Sequence, residues 1–153
     1  MDWMLLPFRR YAEFTGRSRR KEYWMFVLFN VIVLGILAVI VFGVAGAGRA
    51  IEMDAAAGDD LSVYRGLFGG AGLLIVIYWL AVLIPSIAVG VRRLHDRNMS
   101  GWWYLGFIVL GMIPVVGFIA SIAFLVVMAL PGTEGPNQYG PDPKSQGNAQ
   151  VFD

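Results

Sequence analysis

Uncharged apolar runs alternate along the chain with short polar segments. From Tyr23 to Val44 there are 22 residues with no charge and one amide, Asn30. As a helix rising 1.5 Å per residue this run is about 33 Å long, enough to cross roughly 30 Å of hydrocarbon. Its many Val and Ile residues are no obstacle, because a chain in lipid must satisfy its own backbone hydrogen bonds. A second uncharged run, Leu67 to Val91, contains Tyr78, Trp79, Pro85 and Ser86 and predicts a second span, kinked near Pro85. The third, Trp102 to Leu130, has 29 residues, about 43 Å as one helix and more than a modest tilt absorbs. Gly111, Pro114 and Gly117 break it, so it is either one kinked, tilted helix or two short helices folded as a hairpin, the hairpin being preferred. That choice sets the side of the membrane on which the C-terminal tail lies.

The pattern therefore predicts an all-α, polytopic membrane protein with three or four transmembrane helical segments, the last run split at Gly111, Pro114 and Gly117. One integral membrane domain is expected over residues 1–143. Within it, 1–22 is an interfacial segment and 45–66 a loop, and 144–153 follows as a disordered tail. Trp3, Met4, Phe8, Tyr11 and Phe14 precede the first span, and the spacing of Met4, Phe8 and Tyr11 suits one face of a short helix on the membrane surface. With 22 residues before the first span and a span longer than a signal core, the N-terminus reads as an uncleaved anchor.

Composition agrees with lipid as the solvent: 58% of the 153 residues are hydrophobic and 15% charged, against about a quarter charged in soluble domains. A net charge of +1 gives no ground for a nucleic-acid partner. Zero cysteines and one histidine exclude disulfides, Cys-ligated metals and thiol catalysis. No metal or cofactor is expected.

The distribution of charge carries more than its sum. Six of the twelve Lys and Arg residues precede the first span and three lie in the loop at Arg92 to Gly101, so the positive-inside rule puts both segments in the cytoplasm. The loop at 45–66, with Glu52, Asp54, Asp59 and Asp60, then faces outward. The tail, with Lys144 alone, argues weakly for the outside, in conflict with the hairpin.

Three polar segments stand out. In the first, Phe14 to Trp24, the plain reading is a basic stop with an aromatic belt, with Ser18 as a helix cap; the sharper one is an ion-paired or phosphate-holding group of Arg17, Arg20 and Glu22. In the second, Arg92 and Arg93 lie four and three residues before Asp96, so both reach its carboxylate on a continued helix. His95 beside Asp96 is not needed for topology and titrates near neutral pH. One histidine is too few for a metal phosphohydrolase, and Asn98-Met99-Ser100-Gly101 lacks the first glycine of an intramembrane serine protease motif. The third, Leu130 to Pro143, is a string of turns, without the Gly-Lys-Ser/Thr of a phosphate loop.

At these segments the chain resembles the DUF805 family of small bacterial inner-membrane proteins. The matching residues are Gly16-Arg17 through Arg20 with Glu22, Tyr23 and Trp24; Arg92-Arg93-Leu94-His95-Asp96 with Ser100-Gly101-Trp102-Trp103; and Pro131-Gly132-Thr133, Gly135, Asn137, Tyr139-Gly140 and Asp142-Pro143. The resemblance implies an inner-membrane protein with no assigned activity and a 45–66 loop longer than usual. It carries over no catalytic residue.

The expectation is thus a multi-pass inner-membrane protein, N-terminus cytoplasmic, without an enzymatic site. Its candidate polar cluster is Arg17, Arg20, Glu22, Arg92, Arg93, His95, Asp96 and Ser100. The candidate tail motif is Asn137, Tyr139, Gly140 and Asp142, which joins the cluster only if the last run is a hairpin. Expected partners are anionic lipid headgroups at the basic face and a second copy or another membrane protein. The alternative is a small transporter, channel or pH sensor using His95 and Asp96.

Overall fold

The computed structural model describes residues 2–52 and 70–145. Among the described residues there are five helices and no strand: α1 (Asp2–Arg9), α2 (Arg20–Glu52), α3 (Gly70–Asp96), α4 (Trp102–Gly111) and α5 (Val116–Ala129). Stretches long and apolar enough to cross a membrane are Arg20–Val41 in α2 and Gly72–Asp96 in α3. The first expected span lies inside a longer helix, which runs through residues 45–52 of the expected loop. No proline interrupts α2, and helix elongation is cheap once a nucleus exists. The rest of that loop, 53–66, and the tail from 146 to 153 lie outside the described residues. The surface helix is shorter than its aromatic spacing suggests: α1 ends at Arg9, leaving Tyr11 and Phe14 beyond it.

The third run is a hairpin. At 10 and 14 residues, α4 and α5 are about 15 and 21 Å long, each short of a full hydrocarbon crossing. Four amides of the turn between them are bonded, which lipid favours: those of Met112, Ile113, Val116 and Gly117 bond the carbonyls of Val109, Leu110, Pro114 and Ile113. Gly117 lets the two helices meet, because a Cβ there would stand 2.5 Å from the Gly111 carbonyl oxygen. Edge-on contacts of Phe124 with Tyr104 and Phe107, ring centroids 5.7 and 5.3 Å apart, close the hairpin.

By packing, the chain divides into two units, Met1–Val27 with Ile84–Asp153, and Leu28–Leu83. The first has a small apolar core of Tyr23, Phe26, Val89, Leu94 and Met128 and contains every residue of the three polar segments. In the second, Val31, Val39, Trp79 and Leu80 are more than half exposed, as side chains facing lipid would be. Within this unit the Tyr78 hydroxyl donates to Asn30 Oδ1 at 2.8 Å.

A candidate boundary site: the Asp96 hub and the tail that docks on it

The end of α3 is built to present Asp96. Asn98 adopts φ 59°, its amide bonds the His95 carbonyl, and the Met99 amide bonds the Leu94 carbonyl. This is a Schellman stop with asparagine in the left-handed position. It turns the chain abruptly and leaves the carbonyls of Arg92, His95 and Asp96 facing neighbouring segments. Each is taken. The Ser18 amide donates to Arg92 O at 3.1 Å and the Thr133 amide to Asp96 O at 2.8 Å. Asn137 Nδ2 donates to His95 O at 3.0 Å.

The Asp96 carboxylate lies between two buried guanidinium groups. Arg17 Nε donates to Oδ1 at 3.0 Å, and Arg93 Nη1 donates to Oδ2. Arg17 also donates to the carbonyls of Gly135, at 2.6 Å, and Thr133, at 2.5 Å. One side chain thus joins the segment before α2, the end of α3 and the tail. Gly132 passes so close to Asp96 that any Cβ would overlap the carboxylate.

The arginines also solve the problem of the α5 terminus, whose last carbonyls have no intrahelical donors. Arg93 donates to Met128 O at 3.1 Å and to Leu130 O, Arg20 to Ala129 O at 3.3 Å, and Arg97 to Pro131 O. Four successive carbonyls are capped by three arginines, and cations are favoured at this end of a helix dipole.

A second charge pair is separate from the first. Arg92 Nη2 is 3.2 Å from Glu22 Oε1, both side chains buried, yet Arg92 makes no hydrogen bond through its guanidinium among the described residues. Outside the spans, Arg10 holds Glu13 through two bonds of 2.6 Å and lowers the Glu13 carboxyl below its ordinary range.

Several sequence expectations are corrected here. Arg92 does not reach Asp96, because it leaves α3 on another side and meets Glu22. Arg17, Arg20 and Glu22 do not pair among themselves, since each turns to a different segment. His95 does not pair with Asp96: its ring lies flat on Tyr139, centroids 3.9 Å apart and planes within 2°, with Nδ1 3.2 Å from Gly16 O. Ser100 stays outside the cluster. Its Oγ accepts from the Trp102 amide, at 3.4 Å, and it borders an apolar recess of about 550 Å³ with His95 and Tyr104. Ser18 does not cap α2, its hydroxyl having no hydrogen-bond partner among the described residues.

The tail from Pro131 to Lys144 is an ordered string of turns. Asn137 and Gly140 exchange amide bonds of 3.0 Å, and Asn137 Oδ1 accepts from the Tyr139 amide at 2.9 Å. Asp142 accepts from the amides of Lys144 and Gly135 at 2.8 and 3.2 Å. Those amides, Lys144 first, hold its carboxyl below the usual range. Sequence reading missed Arg97, Arg19, whose guanidinium donates to Pro143 O, and the carbonyls of Thr133 and Gly135 as acceptors. The unmet carbonyls of a helix ending at a Pro-Gly pair were the available signal. No three His, Asp or Glu side chains gather as a metal site among the described residues.

The model of the family described as "Protein of unknown function (DUF805)" matches residues 11–141, from before the first polar segment to the end of the tail motif. The inner membrane protein YhaH of Escherichia coli (strain K12) is 41% identical over 147 residues, covering 94% of this chain and 98% of its own. The inner membrane protein YhaI of the same strain is 37% identical over 148 residues, covering 97% and 100%. No solved structure matches. The chain therefore belongs to the DUF805 family.

Proposed function

We propose that this chain is a non-enzymatic inner-membrane protein of the structural or interaction class, multi-pass, with its N-terminus and tail both on the cytoplasmic side. The Asp96 hub is its latch: it fixes the ends of α2, α3 and α5 against the tail, so that a rigid basic face meets the membrane surface. Anionic lipid headgroups are the partners that such a face recruits. A second copy or another membrane protein takes the exposed apolar helix faces. The observation that carries this reading is the buried Arg17 guanidinium, which bonds Asp96 and the carbonyls of Thr133 and Gly135 together. It ties the tail to the segment holding six of the twelve basic residues, and the positive-inside rule assigns that segment to the cytoplasm.

Against the transport or sensor alternative stands the same bonding. Asp96 is held by two guanidinium groups and one face of the His95 ring is packed on Tyr139, which gives both side chains structural partners.

The chain has no native cysteine, so Thr15→Cys and Ser145→Cys each give a unique label site. Both should be shielded from a membrane-impermeant maleimide in intact cells and reactive in inverted vesicles. Labelling of Ser145→Cys from outside would overturn the reading.

A further inference from the structure

Beside the hub, on the membrane-boundary side of α2, is a recess of about 230 Å³. Trp3, Arg19, Arg20, Lys21, Thr133 and Lys144 border it. Its cations arrive from two distant segments, the start of α2 and the tail, and are brought together only because the tail is docked. Arg20, Lys21 and Lys144 have no carboxylate partner among the described residues. Two carboxylates, Asp96 and Asp142, also border the recess, and the cations of Arg19, Arg20, Lys21 and Lys144 outnumber them two to one. Asp96, at the base, is held by Arg17 and Arg93, and Asp142 is turned onto backbone amides.

Gathering like charges in one recess is unfavourable unless an anion sits among them. The recess is smaller than the 300–1,000 Å³ typical of pockets for whole organic ligands, so it suits a compact group. The Trp3 ring lies 5.6 Å from both Arg19 Cζ and Lys21 Nζ. A tryptophan on a short surface helix beside the start of an apolar span belongs at the headgroup level.

We propose that this recess binds a phosphoryl group, with Lys21 and Lys144 as its principal donors. The proposal rests on the docked-tail reading above, since an undocked tail would remove Lys144. A lipid headgroup phosphate and a soluble phosphate share this chemistry, and the recess alone does not separate them.

The test uses the full chain in phosphatidylcholine nanodiscs, with and without phosphatidylglycerol. Lipid retention is read by native mass spectrometry, and inorganic phosphate is titrated separately into discs lacking anionic lipid while thermal stability is followed. Lys21→Gln with Lys144→Gln should weaken phosphatidylglycerol retention by about fivefold per lysine, from the ~1 kcal/mol a basic residue contributes at an anionic surface. Arg9→Gln, on exposed α1 surface away from the recess, should change it less than about twofold. Loss of retention in the double variant assigns the group to lipid. A saturable shift with inorganic phosphate that the double variant loses, without lipid preference, assigns it to a soluble phosphate; both results support the proposal. Retention and phosphate response that ignore both lysines would overturn it. Proteolysis after Leu130, measured in the same variants, separates the two failures: a protected, docked tail with lysine-independent binding rejects the recess alone, and an unprotected tail rejects the reading beneath it.

Discussion

Two buried ion-pair groups lie within a few residues of each other and are built differently. Around Asp96, every charged atom of the carboxylate meets a guanidinium, and those guanidiniums spend their remaining donors on the carbonyls of Met128, Leu130, Thr133 and Gly135. The Glu22–Arg92 pair has the charge contact alone, without hydrogen bonds from the Arg92 guanidinium among the described residues. Burial of an ion pair is repaid only when additional hydrogen bonds satisfy the remaining donors and acceptors. The first group therefore specifies structure, binding three chain segments in one arrangement. The second is a matched pair of charges that apolar side chains could replace.

The largest expected effect breaks the first group. Asp96→Asn leaves two buried guanidiniums without a counter-charge and should cost about 3–5 kcal/mol, seen as a lower melting temperature in detergent and faster proteolysis after Leu130. Next is the contrast at the second group. Arg92→Gln alone should destabilise by about 3 kcal/mol, because it strands Glu22, whereas Glu22→Leu combined with Arg92→Met should return close to the parent melting temperature. If the double variant were as damaged as the single one, the two groups would be alike and the contrast would fail.

Gly132→Ala should cost about 1–3 kcal/mol by overpacking, since the added carbon overlaps Asp96, and the loss should appear in tail protection. A smaller effect is expected at Tyr78→Phe, on the order of 0.6 kcal/mol for a hydrogen bond between membrane helices, with the tail unchanged.

Asp142 supplies a pH test. Its carboxyl is lowered on folding from an ordinary value of 3.8 by the Lys144 and Gly135 amides. Its stabilising contribution is therefore complete above that value and lost as pH falls through the lower folded one. Hydrogen exchange at the Gly135 and Lys144 amides, corrected for intrinsic rates, should show constant protection from pH 7 to pH 5. Protection should fall below pH 3.8 in the parent, and Asp142→Asn should remove that dependence.

What was legible in the sequence follows from what lipid enforces locally. Uninterrupted apolar runs of spanning length announced α2 and α3, and the cluster at Gly111, Pro114 and Gly117 announced the hairpin, because a turn in hydrocarbon needs glycines and a proline. The polar segments were legible as unusual, but not their pairing. Spacing allows both Arg92 and Arg93 to reach Asp96; only the packing of α3 against its neighbours sends Arg92 to Glu22. Arg17 and Asp96 are 79 residues apart, and nothing local ties them. Most of the acceptors are backbone carbonyls, which no side-chain pattern records. They were foreseeable only as unmet groups at the end of α5, a demand that Arg20, Arg93 and Arg97 fulfil. The His95–Tyr139 stack was hidden for a similar reason, since the adjacent Asp96 invited a pairing that geometry gives to arginine.

The central claim is that Asp96 docks the tail on the N-terminal segment. Arg19→Cys with Pro143→Cys, treated in native membranes with a short bifunctional thiol reagent, tests it most directly. An intramolecular cross-link in the parent background that is lost when Asp96→Asn is added is the result expected; no cross-link in either background, or one indifferent to Asp96, would contradict it.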